Sequence, residues 1–217
     1  MLYIKIKIII IYIKTETKEF KILLLGDSCV GKTCFFFKYI ERTFSNIHLA
    51  TIGIDIKHKK MKMEDGKNIK LIIYDTAGLE GLRYISKAYY KKADGMVLIY
   101  DITNKQSFYN LKNWINQIRE EVYDKLPIIL VGNKKDFEEQ RKVTEEQGKN
   151  LAKEYGLAFF ECSAITGENI DDIFNELTKN MLYLEPKSKE LKKKKRREIK
   201  EKFVIQRLNT IMKYLSY

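Results

Sequence analysis

The sequence predicts a three-layer α/β fold, in which a mostly parallel six-stranded sheet with one antiparallel edge strand carries helices on both faces. Three observations carry that expectation. Short apolar runs alternate with longer amphipathic ones from Phe20 to about Glu185, the pattern of parallel strands joined by crossover helices. Two strand-like runs, Ile54 to Met63 and Asn68 to Tyr74, are separated only by Glu64, Asp65, Gly66 and Lys67, a hairpin-length loop that makes one strand antiparallel. Finally, the first strand runs directly into a glycine-punctuated loop, Gly26 to Thr33, that opens onto a helical stretch.

In chain order, Met1 to Lys14 (MLYIKIKIIIIYIK) holds an uninterrupted apolar run only from Ile8 to Ile13, too short to span a bilayer as a helix. Lysines break it and no small-residue cleavage site follows, so it does not read as a signal peptide. Residues 1–19 are read as an extension, either an extra β-branched edge strand or unstructured. Phe20 to Leu25, Lys70 to Tyr74, Gly95 to Tyr100, Leu126 to Val131 and Ala158 to Cys162 read as buried strands. Apolar spacing of three and four marks helices over Gly31 to Tyr39, Tyr84 to Lys91, Ser107 to Val122, Thr144 to Tyr155 and Ile170 to Tyr183. One domain is expected over 20–185. Beyond Pro186, residues 186–217 form a basic tail in which Val204, Leu208, Ile211, Met212 and Leu215 share a helical face.

Composition narrows the function classes. An apolar content of 45% with 14 Tyr and 11 Phe in 217 residues describes a folding chain of about one domain. Cys29, Cys34 and Cys162, odd in number and without metal-site spacing, argue for a reducing, cytoplasmic setting. Of the net charge of +12, a net +7 lies between Lys187 and Lys202, where ten Lys or Arg face three Glu. The basic balance thus belongs to the tail, and nucleic acid is not the expected partner of the folded domain.

The residues Gly26-Asp27-Ser28-Cys29-Val30-Gly31-Lys32-Thr33 match GxxxxGK[ST] in its strand-loop-helix context, the P-loop of nucleoside triphosphatases. Glycines let the backbone curl so that N–H groups point at phosphate oxygens, and the helix N-terminus adds partial positive charge. Lys32 is expected on the β and γ phosphates and the Thr33 hydroxyl on Mg²⁺. Asp75, in Asp75-Thr76-Ala77-Gly78, closes a strand where a carboxylate supporting the Mg²⁺ ligands is wanted; alone it reads more often as structural or a helix cap, and only its pairing with the P-loop lifts it above that. Asn133-Lys134-Lys135-Asp136 follows another strand, and the Asp136 carboxylate suits guanine, whose N1–H and 2-amino group are two donors that adenine does not present together. Cys162-Ser163-Ala164 ends a further strand.

Taken together, GDSCVGKT, Thr51 within ATIGID, DTAG, NKKD and CSA occur in order, and residues 20 to about 185 resemble the Ras superfamily. Ile52 to Ile56, Lys70 to Thr76, Tyr89 to Ala93 and LIYDIT (Leu98 to Thr103) resemble its Rab branch. That resemblance implies a switch that binds GTP and GDP with Mg²⁺ and acts in vesicle trafficking, peripheral on the cytosolic face of an endomembrane. It places Cys34 beside the phosphates and Phe44 against the guanine. Thr51 would close over Mg²⁺ and the γ-phosphate, and the Gly78 N–H would meet that phosphate. Asn133 and Lys134 would brace the base, with Ser163 and the Ala164 N–H beside its O6 atom. Effectors, exchange factors and GTPase-activating proteins are implied at switch regions near 44–56 and 75–92.

Several positions depart from the family pattern. Leu79 stands where a glutamine normally orients the attacking water, so intrinsic hydrolysis is expected to be slow. The alternative reading is a non-hydrolysing scaffold held in the GTP state. Gly81-Leu82-Arg83, Ile56 and Tyr74 alter the surfaces that choose partners. Cys29 replaces a usual glycine, with nucleotide binding expected to survive, and His48 replaces a frequent Tyr. The tail has no cysteine for a prenyl anchor. Lys192 to Arg197 leaves three readings open: contact with an acidic membrane surface through 187–217, a solvated tail, or a nuclear or nucleic-acid patch.

Overall fold

The computed structural model describes residues 17–43, 53–76, 89–122 and 126–184. Residues 1–16, 185–217, Phe44, His48, Thr51, Gly78, Leu79, Gly81, Leu82 and Arg83, with most of the expected helix from Tyr84, lie outside the described residues. The chain divides into two units, one of Glu19–Met61 with Lys70–Leu184, the other having Lys62–Ile69 among its described residues. Described in the second is a turn in which the Met63 N–H donates to the Lys67 carbonyl at 2.9 Å and the Gly66 N–H to the Met63 carbonyl at 2.8 Å.

The six strands are β1 (Lys18–Leu25), β2 (Ile54–Lys62), β3 (Asn68–Thr76), β4 (Gly95–Asp101), β5 (Ile128–Asn133) and β6 (Ala158–Glu161). Their order across the sheet is β2-β3-β1-β4-β5-β6. Pairings β1–β4, β4–β5 and β5–β6 are parallel, and the sheet has one antiparallel strand, as the short loop before Asn68 requires. Every residue of β4 is buried, which explains why GMVLIYD reads as a continuous apolar run and not as an alternation. The register pairs Leu25 with Leu98 and Asp101 with Asn133, bringing the carboxyl ends of β1, β4 and β5 to one side. Ligands of open α/β sheets bind at that edge.

The helices are α1 (Lys32–Glu41), α2 (Lys105–Tyr109), α3 (Leu111–Glu121), α4 (Glu145–Tyr155) and α5 (Ile170–Leu184). Helix α4 starts at a capping box, the Thr144 hydroxyl accepting from the Gln147 N–H and the Gln147 side chain from the Thr144 N–H, and it stops at Gly156. Helix α5 buries Ile170, Ile173, Phe174, Leu177 and Met181 on one face, and Phe174 stacks on Phe35 of α1 with centroids 5.4 Å apart. The single helix expected over Ser107 to Val122 is instead two, divided at Asn110. The asparagine side chain makes no capping bond to α3, because it is engaged elsewhere, as described below. Periodicity did not reveal the division, since Leu111, Ile115 and Ile118 keep a regular apolar face.

Candidate nucleotide site

Phosphate-loop geometry begins with two glycines. Gly26 adopts φ 136°, and a Cβ there would lie 2.1 Å from the Ile99 carbonyl oxygen; no side chain fits both conditions. Gly31 adopts φ 92° at the N-cap of α1, where a Cβ would meet the Asn133 amide at 2.4 Å. Between them Cys29 is exposed and holds φ 62° without being glycine, a left-handed conformation that costs an ordinary residue about 1 kcal/mol. The sequence does not expose that strain; only the backbone does. Cys34 follows in the first turn of α1, half-buried, with its thiol raised above the ordinary range by burial.

Lys32, 5% exposed, donates from Nζ to the carbonyl oxygens of Gly26 at 2.8 Å and Asp27 at 2.6 Å. The Thr33 hydroxyl donates to Asp75 Oδ2 at 2.7 Å, so the loop and the end of β3 meet as the motif order requires. Asp75 is fully buried, and its Oδ1 has no hydrogen-bond partner. Burial pushes its carboxyl up to about 6, against the lowering effect of the Thr33 hydroxyl and the Lys32 charge. Because this lies above the value of 3.8 for an unperturbed Asp, ionisation costs the fold stability as pH rises from about 4 through about 6. An orphaned buried oxygen beside a hydroxyl whose proton is spent on the same carboxylate suits a divalent cation. Thr33 and Asp75 therefore fit the implied Mg²⁺. Among the described residues there is no group of three or more His, Cys, Asp or Glu that would hold a metal alone, so phosphate oxygens and water would complete any coordination shell.

At the other end, Asn133 ties three motifs together. Its Nδ2 donates to the Val30 carbonyl of the phosphate loop at 2.8 Å, and its Oδ1 accepts from the Ala164 N–H at 3.1 Å. The resemblance places both at the base; the structure shows the two bonded to each other and Asn133 bonded to the phosphate loop. Ser163, fully buried, accepts the Thr166 N–H on its hydroxyl at 3.0 Å and so shapes the turn. Lys134 takes a left-handed φ of 71°, and its Nζ pairs with Asp101 Oδ2 at 2.6 Å. Asp136 lies exposed in a 3₁₀ turn, Lys135–Gln140.

A frame around this turn escaped sequence reasoning. Arg141 bonds both oxygens of Glu161 at 2.7 Å and both of Glu138 at 2.7 Å. These two carboxylates hold its guanidinium pKa well above the ordinary value. Lys135 Nζ reaches Glu168 Oε1 at 2.5 Å, and the Lys135 N–H donates to the Cys162 carbonyl at 3.0 Å. Asp101 also accepts the Thr103 N–H at 2.8 Å. Charged residues in loops read as solvated, and nothing in their spacing identifies which pair closes across the sheet; the Asp within LIYDIT was the only available signal.

The Ras family model matches residues 21–183. Ras-related protein Rab-13 of Mesocricetus auratus is 47% identical over 163 residues, covering 75% of this chain and 80% of that relative. Ras-related protein Rab-8B of Homo sapiens is 45% identical over 169 residues, covering 78% of this chain and 81% of that relative.

Proposed function

The chain belongs to the Ras family, and from that premise we propose that it is a Rab-like GTPase whose own rate of GTP hydrolysis is slow. It is a GTP-binding small GTPase of Rab type, acting in vesicle trafficking. The observation that most supports nucleotide binding in this chain is Asn133, one buried side chain joining the phosphate loop to the Ser163-Ala164 turn.

In the proposed site Lys32 exchanges the Gly26 and Asp27 carbonyls for β and γ phosphate oxygens, trading neutral acceptors for charged ones. Mg²⁺, when bound, supplies charge neutralisation between the phosphates; Thr33 and Thr51 offer it hydroxyls, and Asp75 orients the first of these. Asp136 accepts from guanine N1–H and the 2-amino group, Lys134 lies along the base under the control of Asp101, and Phe44 packs on it. Gly78 donates to the γ-phosphate. We take residues 20–185 as the nucleotide-binding unit.

Leu79 occupies the position from which a glutamine would orient water, and leucine has no hydrogen-bonding group for that task. Intrinsic hydrolysis is expected below about 10⁻⁴ per second, with an activating protein supplying the missing group. Phosphate release under single turnover, comparing the natural chain with Leu79→Gln, tests this: the variant should be faster by tenfold or more, and equal rates would overturn the reading. Leu79 also favours a second reading, a scaffold kept in the GTP state. Nucleotide extracted from protein isolated from its own cells separates the two, mostly GDP indicating a cycling switch and mostly GTP a scaffold.

Partners are expected through 44–56 and 75–92, with Ile56, 44% exposed on β2, among the residues that select them. Among the described residues no helix is long and apolar enough to cross a membrane. Peripheral attachment through the basic run of 187–217 is proposed on its charge, and vesicle sedimentation with and without that segment would test it.

A further inference from the structure

Asp27 places a carboxylate in the loop that must receive phosphates, where a free negative charge would repel the ligand. Both of its oxygens are instead held by one helix start. Asn110 Nδ2 donates to Asp27 Oδ2 at 2.7 Å, and Trp114 Nε1 donates to Asp27 Oδ1 at 2.8 Å. Asn110 is the residue at which α2 and α3 divide, and Trp114 lies in the first turn of α3, so the carboxylate also sits at the positive end of a helix. The Asn110 amide is oriented from behind, its Oδ1 accepting from Gln106 Nε2 at 2.9 Å. That leaves Nδ2 with one direction to point, and it explains why Asn110 does not cap its own helix. The contacts span 83 and 87 residues of sequence, and all three side chains are half-buried.

The main chain of the same residue is held differently. The Asp27 carbonyl accepts from Lys32 Nζ at 2.6 Å, a bond that Lys32 must release to reach a phosphate. When it does, the side-chain bonds to Asn110 and Trp114 are what keep the start of the loop in place. We propose that Asn110 and Trp114 are positioning residues for nucleotide retention, clamping Asp27 so that the phosphate loop stays open and its carboxylate stays turned away from the phosphates. This rests on the nucleotide-binding reading above. Neither residue touches the ligand in this scheme; both act through Asp27, and α3 thereby becomes a place from which nucleotide release can be tuned.

The test is the release of a preloaded fluorescent GDP analogue from the full-length protein with Mg²⁺, chased with excess GDP. N110A and W114F should each speed release by about tenfold, since each removes one hydrogen bond to a charged group. In D27A the clamp has nothing to hold, so adding N110A or W114F to it should change the rate no further. Guanosine, which lacks phosphates, should bind the single variants as it binds the natural protein; a merely structural role would weaken both ligands together. Wild-type release rates in N110A and W114F, or effects that add fully on the D27A background, would overturn the clamp. If N110A does not fold, W114F and its double variant with D27A still decide the matter. Failure of the natural protein to bind the analogue at all would instead overturn the nucleotide-binding reading.

Discussion

At the base end of the site Asn133, Lys134, Lys135 and Arg141 each hold a protein group on another element, whereas at the phosphate end Lys32 turns back on carbonyls of its own loop. The difference extends to the acids. Glu161, buried, has both oxygens matched by Arg141, while Asp75, equally buried, has one oxygen without a hydrogen-bond partner and a raised pKa. Charges satisfied by protein stabilise the fold; a buried carboxylate oxygen without a hydrogen-bond partner is one a ligand can satisfy better. The base end is therefore a frame and the phosphate end a receptor, and stability and affinity should separate between them.

The sharpest way to break that comparison is at its two extremes. Lys32→Ala should lower GDP affinity by about a hundredfold or more, since charge-assisted bonds to phosphate are worth roughly 1.5–3 kcal/mol each. Its unfolding midpoint in denaturant, measured without nucleotide, should scarcely move. Arg141→Met should do the reverse, destabilising the fold by about 2–4 kcal/mol in denaturant titration because it strands the Glu161 carboxylate, whose side chain is 4% exposed. If instead Arg141→Met left stability intact, the frame would not be one.

Smaller substitutions sharpen the boundary. Asp101→Asn removes the charged partner of Lys134 but retains an acceptor for the Thr103 N–H; GDP affinity should fall about fivefold, roughly 1 kcal/mol, with a smaller change in denaturant midpoint. Least of all, Cys29→Gly should relieve the left-handed strain at φ 62°. The gain is partly cancelled by the greater freedom of glycine in the unfolded chain. A net stabilisation of at most about 0.5 kcal/mol is expected, read as a rise of about one degree in thermal midpoint. Destabilisation there would show that the thiol makes contacts which outweigh the strain.

How much was legible follows from the same physics. The order of strands and helices, the P-loop and the NKKD and CSA segments could be read because periodicity and short motifs are local. The division of the helix at Asn110 could not, because the apolar face runs on regularly across it, and the Asn110 side chain bonds Asp27, far away in sequence. Arg141 with Glu161, and Trp114 with Asp27, are likewise pairings of residues that look solvated or merely apolar when met singly. Resemblance assigns the Asn133 side chain to the base, and its bonds to Val30 and Ala164 have no signal in the sequence.

By itself the sequence determined the family, the sheet-and-helix alternation and the residue types that phosphate, Mg²⁺ and guanine require, since these depend on side-chain chemistry and on periods of two and 3.6 residues. Only the tertiary structure decided which charges are spent on the protein and which are kept for the ligand. That allocation depends on distances across the sheet and on burial, and neither is encoded in any one stretch of the chain.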